Sequence, residues 1–359
     1  MSPCGFAQDA ISDVPPPGTI STNVSFLGVA AGDASTNDAI VWTRAVDSLA
    51  PTAATTVTAQ VSTDSNITSP ITLTGVTNPA EDFTVKLDFN TLTPGTQYYY
   101  RFVGPSGETS IVGKFKTAPA PNAPAPLHFA FSGDNDGLIR PYALAATIPA
   151  QNLDFYVNLG DTIYENASNL TTSGVHNGAS WLNSPSVTLS NDALNFNGIP
   201  RAFIPAGTPF ATQAQLRADY AKKYRENFLP VNTGGQNCLQ GLYAAQGNYT
   251  TWDNHELGNR KYIDGGAPAG LSVGGAAGTD MATGRGVDAR NNGAGNVGNV
   301  NDAADLFSPS ALASLGGWMN RAPGFLALED VFLAYQPIAN RGIITAPSDP
   351  RTDGTRQLY

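Results

Sequence analysis

Charge is scarce in this chain. Of its 359 residues 13% are charged, and 29 acidic against 19 basic residues leave a formal net charge of −10. That balance excludes a nucleic-acid or anionic-membrane surface as the main partner, so an anion would have to be held in a local basic or metal-rich pocket. Cysteine is almost absent as well. Cys4 and Cys238 allow one disulfide or none, and no Cys-x-x-Cys spacing points to zinc or redox work. No stretch approaches the length of a membrane-spanning helix, so no transmembrane segment is expected. Residues 1–19 lack a basic segment followed by an apolar run, so no signal peptide is visible in this chain.

What is present describes a globular protein. Hydrophobic residues make up 41% of the chain, enough for a sizeable core and for two or three domains. Abundant Thr, Asn, Gly and Ala, with sequons such as Asn66-Ile67-Thr68, fit a secreted protein, and an extracellular or periplasmic location is expected.

Taken in order, residues 1–23 contain Val14-Pro15-Pro16-Pro17-Gly18 and read as a leader or linker. Residues 24–117 read as all-β. Ala39–Thr43, Val57–Val61, Phe83–Leu87 and Tyr98–Phe102 alternate between turn residues, and about seven short strands fit a β-sandwich. Leu92-Thr93-Pro94-Gly95-Thr96-Gln97-Tyr98 has the layout of a tyrosine corner, and here the span resembles a fibronectin type III domain. Proline-rich residues 118–127 mark a linker, and 128–359 form the second domain.

In that second domain the apolar run His128–Ser132 ends at Gly133-Asp134, and Asp154–Leu159 ends at Gly160-Asp161-Thr162-Ile163-Tyr164-Glu165. The Ala- and Leu-rich stretch Pro141–Ala150 is expected as the crossover helix between them. Residues 166–210 read as a long insertion. A helix with Thr212 and Gln215 as a capping box then places Leu216, Tyr220, Tyr224 and Phe228 on one core face up to Pro230. A third strand, Gly247–Trp252, runs into Asp253-Asn254-His255-Glu256. The Gly- and Asn-rich residues 264–302 read as a lid or insertion, 303–320 as a helix, and Leu326–Tyr335 as an apolar segment.

Three strand ends therefore deliver Asp134, Asp161 with Tyr164, and Asp253, Asn254, His255 and Glu256, a set of hard oxygen donors plus one imidazole. A strand-end Asp taken alone more often makes a turn or a cap. Three such endings on successive strands point instead to a metal site. Oxygen-rich sites suit calcium, magnesium, manganese and iron(III), and a carboxylate can bridge two cations roughly 3.5–4 Å apart. Paired carboxylates at Asp161 and Glu165 leave a glycosidase as another enzymatic reading.

Gly133-Asp134, Gly160-Asp161-Thr162-Ile163-Tyr164-Glu165 and Trp252-Asp253-Asn254-His255-Glu256 resemble the motifs of metallophosphoesterases of the PhoD and purple-acid-phosphatase kind. Phe26–Asp33 followed by Ile40–Arg44 is similar to the opening of the fibronectin-like domain that precedes the catalytic domain of PhoD-type alkaline phosphatases. The resemblance implies a β-sandwich followed by an α/β four-layer metallophosphoesterase domain. It also implies two or more metal ions, iron(III) with calcium or another divalent ion. Asp134 and Tyr164 would bind the first, Asp161 would bridge, and Asn254 would bind the second. Asn254 and His255 are the implied catalytic pair; with Arg260 they would also hold the phosphoester substrate.

Two departures stand out. Asp134 occupies a position where many PhoD-type members place cysteine, and Asn254 replaces an aspartate, both in the purple-acid-phosphatase manner. The later Gly-Asp-Val-His-like motif has no counterpart among His128, His176 and His255. The expectation is thus a fold whose C-terminal part is missing, with a separate chain or the missing half completing the site. The reaction expected is hydrolysis of a phosphomonoester or phosphodiester by a metal-bound hydroxide. The alternative is a non-catalytic extracellular binding or structural protein with a degenerate metal site.

Overall fold

A computed structural model describes residues 23–135, 142–163, part of 217–228, 238–253, 256 and 323–338, with two short ribbons between 195 and 286. Seven strands precede the proline-rich stretch: β1 (Val24–Gly32), β2 (Ala39–Asp47), β3 (Thr56–Ser62), β4 (Ile71–Val76), β5 (Thr84–Phe89), β6 (Gln97–Val103) and β7 (Gly113–Lys116). They form the expected sandwich. β5-β2-β1 makes one layer and β4-β3-β6-β7 the other, with Val41, Ala45, Val57, Val61, Tyr100, Phe102 and Phe115 buried between them. The tyrosine corner is present: the Thr93 amide donates to the Tyr98 hydroxyl at 2.8 Å, five residues back along the chain.

Beyond the proline-rich stretch come β8 (Phe129–Ser132) and β9 (Phe155–Asn158), the ribbon β10–β11 (Asn195–Phe196, Ile199–Pro200), helix α1 (Cys238–Ala245), β12 (Gly247–Thr250), the ribbon β13–β14 (Thr279–Asp280, Arg285–Gly286) and helix α2 (Pro323–Tyr335). β8, β9 and β12 pair in parallel, as a βαβ arrangement requires. The expected crossover helix over Pro141–Ala150 does not form. The chain instead makes 3₁₀ turns at Ala143–Thr147 and Pro149–Gln151, entered from Tyr142 at φ 58°. Pro149 has no amide hydrogen to donate, so the two turns cannot merge into one α-helix.

The two halves are joined by more than a linker. β1 pairs in parallel with β12 through Ala31↔Gly247 and Gly32↔Asn248, giving one six-stranded sheet in the order β5-β2-β1-β12-β9-β8. The β5-β2-β1 layer is consequently covered on both faces, and Ala39 to Thr43 are buried without alternation. Val41 faces the sandwich, whereas Trp42 enters a second core with Tyr156, Tyr220, Tyr224, Phe228, Leu328 and Tyr335. The expected aromatic stripe at 220, 224 and 228 is thus core; Thr212, Gln215 and Leu216 lie outside the described residues.

Polar contacts fix α2 to the sandwich. Trp42 stacks on Phe228 with centroids 5.0 Å apart, and its Nε1 donates to the Ala334 carbonyl at 2.7 Å. Lys86 Nζ donates to the carbonyls of Leu333 at 2.9 Å and Ile338 at 3.1 Å, placing a cation at the negative end of the helix. Asp82, in the left-handed region at φ 54°, accepts from Arg44 Nε at 3.1 Å and Nη2 at 3.2 Å, and also from Arg225 and the Tyr335 hydroxyl. Burial alone would raise the Asp82 pKa, but Arg44 and Arg225 hold it below the ordinary carboxylate value. Cys4 and the segments 166–194, 264–278 and 303–320 lie outside the described residues.

Candidate metal centre

The carboxyl ends of β8, β9 and β12 lie side by side, which is where open α/β sheets collect their chemistry. Each ends in a sharp turn. Asp134 and Asp161 both adopt left-handed backbone, at φ 59° and 49°, a conformation that Asp tolerates better than most residues. The turns are laced together: the Asp134 amide donates to the Gly160 carbonyl at 3.2 Å, and the Asn135 amide to the Asp161 carbonyl at 2.8 Å. Gly160 has φ 101°, and a Cβ there would sit 2.5 Å from the Asp253 nitrogen. Only glycine lets the second and third turns approach this closely.

Exposure separates the three aspartates. Asp134 and Asp253 are open to solvent, and Asp161 is buried between the turns that carry them. The donor chemistry of Asp134 and Asp161, two carboxylates on adjoining turns, fits a hard metal ion. Among the described residues, however, no group of three or more His, Cys, Asp or Glu side chains gathers. The other expected participants, Tyr164, Asn254, His255 and Arg260, lie outside the described residues.

Glu256 departs from its expected place in the ligand set. It is fully buried, and both of its oxygens are engaged by the protein itself. One accepts from the amides of Asp161 at 2.9 Å and Asp253 at 2.8 Å; the other accepts from the Thr162 hydroxyl at 2.7 Å and the Thr162 amide. Glu256 is therefore a clasp between the second and third turns. Burial pushes its carboxyl up to about 7, and the nearby Asp161 charge adds to this, against the opposing pull of the Asp253 and Thr162 donors.

Two asparagines behind the site carry no expectation from the sequence. Asn158 Oδ1 accepts from the Gly160 amide at 3.1 Å, shaping the turn before Asp161. Asn227 donates its amide to the Thr162 carbonyl at 2.6 Å. Asn227 lies three residues after Tyr224 and seven after Tyr220, on the buried stripe of that segment. A polar residue on an otherwise apolar stripe is the one local signal that could have singled it out.

No helix among the described residues is long and apolar enough to cross a membrane. The family model of the PhoD-like phosphatase N-terminal domain matches residues 15–119. Alkaline phosphatase D of Bacillus subtilis (strain 168) is 28% identical over 240 residues, which covers 65% of this chain and 35% of that protein. A solved structure of PhoD superposes with a TM-score of 0.55 at 21% identity, covering 93% of this chain and 48% of that one. The chain thus spans between a third and a half of the length of these relatives. It is similar to PhoD-like phosphatases in its N-terminal domain and to a curated relative in sequence, and it shares the fold of PhoD.

Proposed function

We propose that this chain is a metal-dependent phosphoester hydrolase whose site is built on the carboxyl ends of β8, β9 and β12. The observation that carries the reading is the lacing of Asp134 and Asp161 onto adjoining left-handed turns, with Asp161 buried and Asp134 open to solvent. Similarity to alkaline phosphatase D supports the phosphoester class.

Asp134 and Tyr164 would hold an iron(III) ion, Asn254 would hold calcium or another divalent ion, and Asp161 would lie between the two. Bound there, the ions supply Lewis acidity toward phosphoryl oxygen and lower the pKa of water. The protein's own side chains do the rest. Glu256 fixes Asp161 and Thr162, while Asn254, His255 and Arg260 hold the substrate phosphoryl group and balance its charge. His255 would give a proton to the leaving oxygen. Completion of the site would fall to a polypeptide outside this chain, and the protein would act in an extracellular or periplasmic space.

The competing reading, a non-catalytic protein with a partial metal site, draws on one observation: the missing three-residue cluster among the described residues. Metal analysis beside hydrolysis of p-nitrophenyl phosphate and bis-p-nitrophenyl phosphate separates the two. The enzyme reading expects bound metal and turnover of at least one ester, with both lost in Asp161→Asn. Bound metal without turnover favours the binding protein, and absence of metal refutes both.

A further inference from the structure

Behind the turn that carries Asp161 lies a small cavity lined by Asn158, Asn227, Asn248, Thr250, Tyr224 and Tyr243, among others. Two carbonyl oxygens of its lining, Asn227 Oδ1 and Asn248 Oδ1, have no hydrogen-bond partner in the protein. Both residues are almost fully buried, at 2% and 4% exposure. Their amide orientations follow from their neighbours. Asn248 Nδ2 faces three carbonyls, those of Ala31 at 3.0 Å, Tyr243 at 2.9 Å and Gln246 at 2.9 Å. Asn227 Nδ2 faces the carbonyl of Thr162. Flipping either amide would set oxygen against oxygen, so both unpaired atoms are acceptors.

Two buried acceptors on one cavity call for a small molecule with two hydrogens to give. The cavity volume of about 10 Å³ has room for a single water and excludes a phosphate or any organic ligand. Leaving both acceptors bare would cost more than immobilising one water.

We propose that the cavity is a binding site for one ordered water, which donates one hydrogen to Asn227 Oδ1 and the other to Asn248 Oδ1. The water joins β12 to the segment ending at Phe228. Through Asn227 Nδ2 it steadies the Thr162 carbonyl, one residue beyond Asp161. Asn227 is then a positioning residue, and its carbonyl oxygen acts only through the water. This site stands whether or not the chain hydrolyses phosphoesters.

A crystal structure of the full chain at high resolution tests the proposal. The expected result is one isolated density peak at hydrogen-bond distance from both oxygens, about 2.7–3.1 Å. An empty or collapsed cavity, a protein donor on either oxygen, or a cation that exchanges for rubidium with an anomalous signal would overturn it. Oxygen-17 magnetic relaxation dispersion gives a solution counterpart. Asn227→Leu, which keeps the side-chain shape but has no acceptor, is expected to lose one long-lived internal water relative to the wild type. An unchanged count in folded Asn227→Leu would refute the site, and if that variant does not fold, the wild-type crystal structure decides.

Discussion

Asp82→Asn tests how firmly the sandwich and the α/β sheet are bound to each other. Asp82 lies just before β5, whereas Tyr335 belongs to the core behind the sheet and Arg225 to the segment that carries Tyr224 and Phe228 into it, so the carboxylate joins both halves. Asparagine keeps the shape and tolerates the left-handed backbone at φ 54°, which isolates the loss of charge. One oxygen remains for Arg44, but the new amide must face donors that previously had an acceptor. Breaking a buried ion pair from one side costs about 3–5 kcal/mol, and the 17–18% exposure of Asp82, Arg44 and Arg225 lets water screen part of that, leaving roughly 2–3 kcal/mol.

With a urea m-value of about 3 kcal/mol/M, that is a midpoint lower by somewhat under 1 M. Unfolding should be followed by both tryptophan fluorescence and far-ultraviolet circular dichroism. A midpoint that moves by less than about 0.2 M refutes the energetic reasoning. Two separated transitions, with only one shifted, would show that these contacts do not make the two halves one cooperative unit. The acid limb gives a second check. Because the folded pKa of Asp82 is lowered, its contribution is present above the ordinary value of 3.8 and is lost as pH falls through the folded value. Asp82→Asn should therefore show a shallower loss of stability on acidification.

Four further substitutions probe the site and the sandwich. Gly160→Ala should destabilise by at least about 2 kcal/mol and reduce metal content, because the methyl meets the Asp253 backbone at φ 101°; Gly107→Ala, at φ 90° with nothing within 4 Å, should cost only the backbone strain of about 1 kcal/mol. Denaturation of the two variants side by side checks this, and equal losses would show that the close approach of the turns is unimportant. In chelator-treated protein the raised pKa of Glu256 means that its own contribution to stability is fully present below about 4.5 and is lost as pH rises toward about 7, by roughly 3 kcal/mol; Glu256→Gln should remove that part of the slope in a pH series of urea titrations. Tyr98→Phe keeps the ring stacked on Phe115 but deprives the Thr93 amide of its acceptor, and calorimetry should register a loss of about 1 kcal/mol.

Features encoded locally were legible in the sequence. The tyrosine corner occupies a few consecutive residues, and turn chemistry followed by a Tyr-rich strand marks it without reference to anything distant. The strand ends at Asp134, Asp161 and Asp253 were legible for the same reason: an apolar run that stops at a carboxylate is visible in one window. What these residues do together was not. Glu256 reads as one more oxygen donor beside His255, and its role as a clasp depends on backbone amides 94 and 95 positions away. The crossover at Pro141–Ala150 has helical composition, and a single proline outweighed it. Trp42 in an alternating strand reads as a sandwich residue. Only the arrival of α2 on the outer face of β2 turns it into the centre of another core.

The parallel seam between β1 and β12 has a consequence for how this polypeptide could be divided. Residues 121–129 are solvent-exposed, so a protease meets an accessible site between the halves. A cut there removes a covalent bond but leaves the hydrogen bonds of Ala31 and Gly32 with β12, the Trp42 contact with α2 and the Asp82 cluster in place. The severed pieces should migrate separately on a denaturing gel and together on a native column. Expressed apart, each would expose an unpaired strand edge to solvent, at β1 in one piece and at β12 in the other, and would tend to pair with whatever strand it met first.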